Sequence, residues 1–408
     1  MAHHREVPRL EDDRLRLEGL ARPLMIGGLV LGVLGLAGGF VMGQTQGQSQ
    51  GGLEQYGTSY LLAYAYFLSL SLGALFFVAL QHVVRASWSV VVRRIAEVMA
   101  ANLTLLALLV IPLLLMAPKV YVWAGDGGHV PTELLAHKEP FLNLPFLYIR
   151  WAVYFAIWAG FAMWFWRKSI QQDQSADPKI TMSFEKRSGL ALLLYALSVN
   201  IASYDLLMSL DPSWFSTMFG PYYFAGGVVS FFAAITLVTL WLQAQGRVTK
   251  VIGIEHFHDY GKLLFAFVFF WAYLAFSQYM LIWYANIPEE TAWFLKRMEN
   301  GWGWLGIVLV LGHWLLPFAG LISRWAKRNR FALGFWAVWV LVMHWVDLYW
   351  IVMPEFSPTS IAPSIVDFFC FVGMAGFYVA GLAFFAGGRS LVPAGDPRLD
   401  ESLAFENA

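Results

Sequence analysis

Ten stretches of this chain are long and apolar enough to cross about 30 Å of hydrocarbon, and that constrains the fold more than any motif does. They fall at about residues 22–43, 58–80, 96–117, 146–167, 188–210, 221–245, 261–285, 301–324, 331–353 and 363–388. Inside a bilayer no water is at hand to pair with the backbone, so each crossing must satisfy its own N–H and C=O groups. Runs of this length do so as helices, since barrel strands are about half as long. The sequence therefore predicts an all-α, polytopic integral membrane protein. Composition agrees: 59% of the 408 residues are hydrophobic and only 13% are charged, more apolar than a soluble core would tolerate. The first run is long enough to span and follows a charged segment, so no cleavable signal peptide is expected.

Charge gives the orientation. Of the 27 Lys and Arg, only Lys119, Lys138, Lys296 and Arg297 fall in loops on the side opposite the N terminus, and Arg150 lies near that end of the fourth run. The others sit on the N-terminal side, which predicts both ends in the cytoplasm. Three parts follow: a cytoplasmic N-terminal segment (1–21), a ten-helix membrane domain (22–389) and a cytoplasmic tail (390–408).

Several chemistries are poorly served. Cys370 is the single cysteine and lies inside an apolar run, so no disulfide framework, Cys-held cluster or Cys-based zinc site is expected. Zero formal net charge argues against a nucleic-acid partner. The longest loop, 118–145, faces outward and could dock a partner; its His129 and His137 are weak metal candidates because their spacing is irregular. The glutamine-rich loop 44–52 implies no chemistry, and no short-period repeat is obvious. Residues 82–97 (HVVRASWSVVVRRIAE) alternate apolar and basic positions and read as an interfacial helix.

The informative residues are the polar ones within the spans, because burial must be matched by a partner or by loss of charge. They are Arg150, Asn200, Asp205, Ser277, Gln278, His313, His344, Asp347 and Asp367. Asp205 belongs to SYDLLMSLDPSWFSTMFG (203–220), roughly 9 Å below the point where the chain leaves the membrane at Asp211-Pro212. It either caps structure near the surface or handles protons. His344 and Asp347, at i and i+3, share a helix face where the carboxylate could hold the imidazole tautomer or exchange a proton with it. Asp205, Asp347 and Asp367 lie within about two turns of the outer surface and the histidines near mid-depth, so a proton ladder can be drawn, with helix-gluing hydrogen bonds as the alternative.

Two further readings stay open. His313 and His344 could ligate one b-type haem, although Trp314 and Trp345 crowd them. The cluster EHFHDYGK (255–262) could gather protons at a span entrance or be a solvated helix start. Pro317 and Gly320 are expected to kink the eighth span.

The strings SYDLLMSLDPSWFSTMFGPYYFAGG (203–227), HDYGKLLFAFVFFWAYLAFSQYMLIWYANIPEET (258–291) and HWVDLYWIVMPEF (344–356) resemble the polysulfide-reductase-type (NrfD-like) membrane subunits of bacterial alternative complex III. The likeness is greatest to the shorter, ActF-like type, described as a second quinone-binding subunit of quinol:cytochrome c oxidoreductase, and it covers roughly residues 190–355. It implies two four-helix bundles, helices 2–5 and 6–9, flanked by the first and last helices. It also implies a bacterial cytoplasmic-membrane complex holding a larger NrfD-like paralogue, an iron-sulfur/molybdopterin-like subunit, haem c subunits, small membrane subunits and lipids. Electrons then pass from menaquinol through haem c and iron-sulfur clusters in those partners, and this chain binds no redox cofactor of its own.

On this reading the chain is a non-catalytic subunit contributing a transmembrane proton path, with room for a quinone site whose residues the sequence does not reveal. Asp205, His344 and Asp347 form the outer half of the path, His313 lies near the centre, Ser277 and Gln278 bridge through water, and Arg150 and Asp367 tune the outer exit. The rivals are a proton-coupled secondary transporter, a b-haem anchor using His313 and His344, and a purely structural anchor.

Overall fold

The computed structural model describes residues 8–46, 51–125 and 131–407. His129 and residues 47–50 of the glutamine-rich loop lie outside the described residues. Ten helices are long and apolar enough to cross a membrane: α1 (Ala21–Thr45), α2 (Gly52–Val83), α3 (Val90–Leu115), α4 (Leu144–Ser175), α5 (Pro178–Leu210), α6 (Phe219–Ala244), α7 (Ile254–Ala285), α8 (Trp302–Leu321), α9 (Arg330–Glu355) and α10 (Ile365–Ala386). Among the described residues there is no strand. The chain is thus a multi-pass membrane protein.

Several helices overrun their apolar runs because caps, not lipid, decide where they begin. The Asp177 carboxylate accepts from Lys179 N at 2.9 Å, with Pro178 in the first helical position, so α5 starts ten residues before residue 188. Asn143, Asn329 and Ser364 cap α4, α9 and α10 in the same way.

Helices α2–α5 pack as one four-helix bundle and α6–α9 as a second, and α2 and α6 meet in the seam between them. Helix α2 is the axis of the molecule, with 94% of its apolar window buried against 22% for α1. Helices α1 and α10 form an outlying pair that lies against α2. Their backbones nearly touch: a Cβ on Gly35 would sit 2.4 Å from Gly373 Cα, so a larger residue at that crossing would prise the pair apart.

The face bearing the basic loops departs from expectation. Residues 82–97 are the end of α2, a turn and the start of α3, not an interfacial helix. Arg93 and Arg94 are 2% and 1% exposed. Burial is tolerated because carboxylates from distant segments neutralise them: Arg93 pairs with Asp396 and Glu97, and Arg94 with Glu97 at 3.0 Å and Asp173 at 2.9 Å. Asp396 belongs to the C-terminal tail, which runs across this face. Leu391 N bonds Leu15 O at 2.7 Å, Arg398 pairs with Glu185, and Asn407 reaches Glu255. Residues 255–261 of the cluster 255–262 are consequently covered rather than solvated, and Lys262 alone is exposed. Glu255 binds Arg328 through both oxygens at 2.7 and 2.8 Å, and His256 Nε2 meets Ser402 O at 3.1 Å.

In α8 the expected kink is a π turn over Leu309–Leu315. Leu316 N donates to Leu311 O, five residues back. The next carbonyl in that pattern, Gly312, faces Pro317, which has no N–H to give. Trp339 Nε1 on α9 donates to it instead, at 2.7 Å. Gly320 serves a different purpose, since a Cβ there would fall 1.9 Å from the Trp336 ring.

Candidate functional site

The expected single ladder divides into two sites, one in each bundle. In the first bundle Asp205, fully buried at the end of α5, is clamped by Arg150 of α4. Nε donates to Oδ2 at 2.8 Å and Nη2 to Oδ1 at 2.7 Å, and Tyr154 Oη adds a third donor at 2.8 Å. The guanidinium lies 4.0 Å from the Phe141 ring and 4.4 Å from the Phe146 ring, and Nη1 donates to Phe141 O at 2.8 Å. This is a fork-to-fork pair with both charges matched. Arg150 therefore neutralises Asp205 rather than tuning an exit, and Asp205 is not joined to the histidines.

The second bundle holds Asp347, 2% exposed on α9. Its donors are neutral: Tyr222 Oη from α6, and Trp271 Nε1 from α7 at 3.2 Å. Among the described residues no cation pairs with it. His344, one turn below, is not hydrogen-bonded to Asp347, because the carboxylate turns to Tyr222 and Trp271 while His344 Nε2 lies 2.9 Å from Ser69 Oγ on α2. His313, carried by the π turn, stacks on the Trp271 ring with centroids 3.9 Å apart and faces His344 at 6.5 Å. Trp271 thus touches the carboxylate by its edge and the imidazole by its face.

Tyr222 and Trp271 are also part of the wall of a cavity of about 580 Å³ between α7 and α8, beside the outer loop 286–301. The rest of its lining is mostly aromatic and aliphatic, including Trp293, Phe294, Trp314 and Trp350. On the rim Phe276, Ile307, Val310 and Leu311 are about half exposed or more, so the cavity opens sideways into lipid. Its lining also includes Gln278 and Arg297; the indole nitrogens of Trp314 and Trp350 are themselves buried, with no hydrogen-bond partner among the described residues. Arg297 stacks on Trp293 at 3.4 Å and binds Glu355 at 2.9 Å. Burial pulls its guanidinium down to about 10, and Glu355 works against that shift.

Of the remaining expected residues, Gln278 reaches the cavity and its neighbour Ser277 does not line it. Asp367 lies apart at the start of α10, where it accepts from Ser59 Oγ at 2.6 Å and Ser364 N at 2.9 Å and closes the capping box. A bis-histidine haem does not fit. Trp271 lies against one face of His313, Ser69 occupies His344 Nε2, and both rings are at most 1% exposed in a packed seam. Among the described residues no three His, Cys, Asp or Glu side chains gather as a metal site.

Tyr222, Trp271, Ser69 and Arg297 were not singled out as site residues by sequence, since Tyr and Trp read first as packing or interface residues. A legible signal existed: a proline follows each carboxylate by seven residues, Asp205 with Pro212 and Asp347 with Pro354. No family model matches the chain, and a search of curated proteins returns no match.

Proposed function

We propose that this protein is a membrane subunit of a respiratory quinol:electron-acceptor oxidoreductase of the alternative complex III type, residing in a bacterial cytoplasmic membrane with both termini inside. Its contribution is a proton site in the second bundle, and its partners carry the haem c and iron-sulfur centres. The three sequence strings support the family, and the pair of four-helix bundles flanked by α1 and α10 is the architecture that family implies. The observation that carries the functional reading is Asp347: a buried carboxyl group with no paired cation among the described residues, hydrogen-bonded to two side chains that also wall an aromatic cavity open to lipid. Intramembrane carboxyl groups of this kind are where proton pathways concentrate. A flat menaquinone ring suits the aromatic walls. Within the proton site Asp347, His344 and His313 remain as path residues. Asp205 and Arg150 become a structural clamp, and Asp367 becomes a helix cap.

The test is purification through a tag on this chain, followed by proton-uptake measurements on the complex carrying Asp347→Asn. Co-purification with haem c and iron-sulfur subunits, and at least a tenfold slower proton uptake with the complex intact, is the expected result. A lone stable protein would point to a transporter. Unchanged proton stoichiometry in the substituted complex would sink the proton site.

A further inference from the structure

His313 and His344 leave three ring nitrogens buried without a partner among the described residues: both nitrogens of His313 and Nδ1 of His344. Orphaned polar atoms in a packed interior are few, and an internal water is the usual reason for them. The rings face each other with centroids 6.5 Å apart and planes inclined at 64°. Even turned towards each other, their nitrogens stay more than about 4 Å apart, too far for a direct hydrogen bond but within the span of two bonds made through one water oxygen.

The tautomer of His344 can be read from its other side. The Ser69 hydroxyl has one proton, and it is donated to Tyr66 O at 2.7 Å. Its 2.9 Å contact with His344 Nε2 must then be accepted by Oγ, so Nε2 carries the hydrogen and Nδ1 is a bare acceptor. The orphaned nitrogen of His344 is therefore the basic one. Gly226 lets α6 pack close against that edge of the ring, since a Cβ there would stand 3.1 Å from Cε1 and 3.3 Å from Nδ1.

We infer that an internal water bridges His313 and His344, and that Ser69, reaching across from the first bundle, is the positioning residue that holds His344 as the Nε2–H tautomer so that Nδ1 takes the proton the water delivers. In the transfer a protonated His313 gives one N–H proton to the water, and the water gives one of its own to His344 Nδ1. The water ends unchanged and the charge has moved one ring. The inference rests on the proton-site reading for its purpose, but the water and the tautomer are testable without it.

Two measurements on the full chain in lipid decide the matter. A structure resolved well enough to place waters is expected to show density within hydrogen-bonding distance of both rings, lost on His313→Phe; two rings with nothing between them would overturn the bridge. Nitrogen-15 spectra of labelled histidine are expected to show His344 protonated at Nε2 and bare at Nδ1, with a mixture of tautomers in Ser69→Ala and recovery in Ser69→Thr. A bare Nε2 in the unsubstituted protein, or no change in Ser69→Ala, would remove Ser69 from this role. In the assembled complex Ser69→Ala is expected to slow proton uptake about tenfold, and an unchanged rate would confine Ser69 to structure. If Asp347→Asn leaves uptake unaltered while water and tautomer are as expected, the proton site fails and the inferred geometry stands.

Discussion

The two bundles place the same residue at the same point and put it to different use. Asp205 near the end of α5 and Asp347 near the end of α9 are each followed seven residues later by a proline, and each accepts a tyrosine hydroxyl. In the first bundle the third party is Arg150, bidentate and sandwiched by phenylalanines. In the second it is the indole N–H of Trp271, and an aromatic cavity and two histidines lie within one layer of it. A carboxylate clamped by a guanidinium has its charge fixed, and moving a proton onto it would strand a buried cation. A carboxyl group held by neutral donors has no such constraint. On the proposed function the first bundle is the staple, and the second is the site of proton chemistry.

The comparison breaks first, and most visibly, at the clamp. Replacing Arg150 by Gln, or Asp205 by Asn, leaves one buried charge without its partner and should cost about 3–5 kcal/mol, read as an early thermal transition of the protein in mild detergent. If both variants unfold like the unsubstituted chain, the clamp is not structural and the contrast collapses.

The next largest effect concerns the π turn. Trp339→Phe removes the donor to Gly312 O and leaves that carbonyl facing Pro317, at a cost of about 1–3 kcal/mol. The same change should disturb the stack of His313 on Trp271, visible as altered histidine resonances. A silent substitution would mean that the turn is held by packing alone.

Asp347→Asn inverts the pattern of the clamp. Asn offers the same acceptor oxygen to Tyr222 or Trp271 and strands no charge, so stability should change by about 1 kcal/mol or less. Proton uptake should nevertheless fall at least tenfold, which is about 1.4 kcal/mol of barrier. Loss of stability comparable to that of Asp205→Asn would show that the two acids do the same work after all.

The sequence made the fold legible because lipid leaves so few solutions: ten apolar runs, a lopsided distribution of Lys and Arg, and helix-length spans. It was less informative at the basic face. Arg93, Arg94 and Glu97 look like an exposed amphipathic turn until Asp396 is brought back from the far end of the chain, some 300 residues away, to neutralise them. The site was half legible. Buried His and Asp announce themselves by their cost, which is how His313, His344 and Asp347 stand out as candidates, and all three are buried. Their partners do not announce themselves, because a Trp that donates to a carboxylate has the same sequence signature as one that fills a core.

The smallest expected difference is the sharpest probe of the comparison, because it makes one change in both bundles. Tyr154→Phe and Tyr222→Phe each delete a single hydroxyl that donates to a buried acid. In the first bundle Asp205 keeps both nitrogens of Arg150, so the loss should be about 0.5–1.5 kcal/mol, with proton uptake unaltered. In the second bundle Asp347 is left with Trp271 alone, at 3.2 Å. The stability cost should be similar, yet uptake should slow severalfold, because Tyr222 also stands in the cavity wall between the acid and any ring-bearing occupant. Equal stability losses with unequal rates would separate the structural acid from the working one; equal rates would leave Asp347 with no better claim to proton chemistry than Asp205.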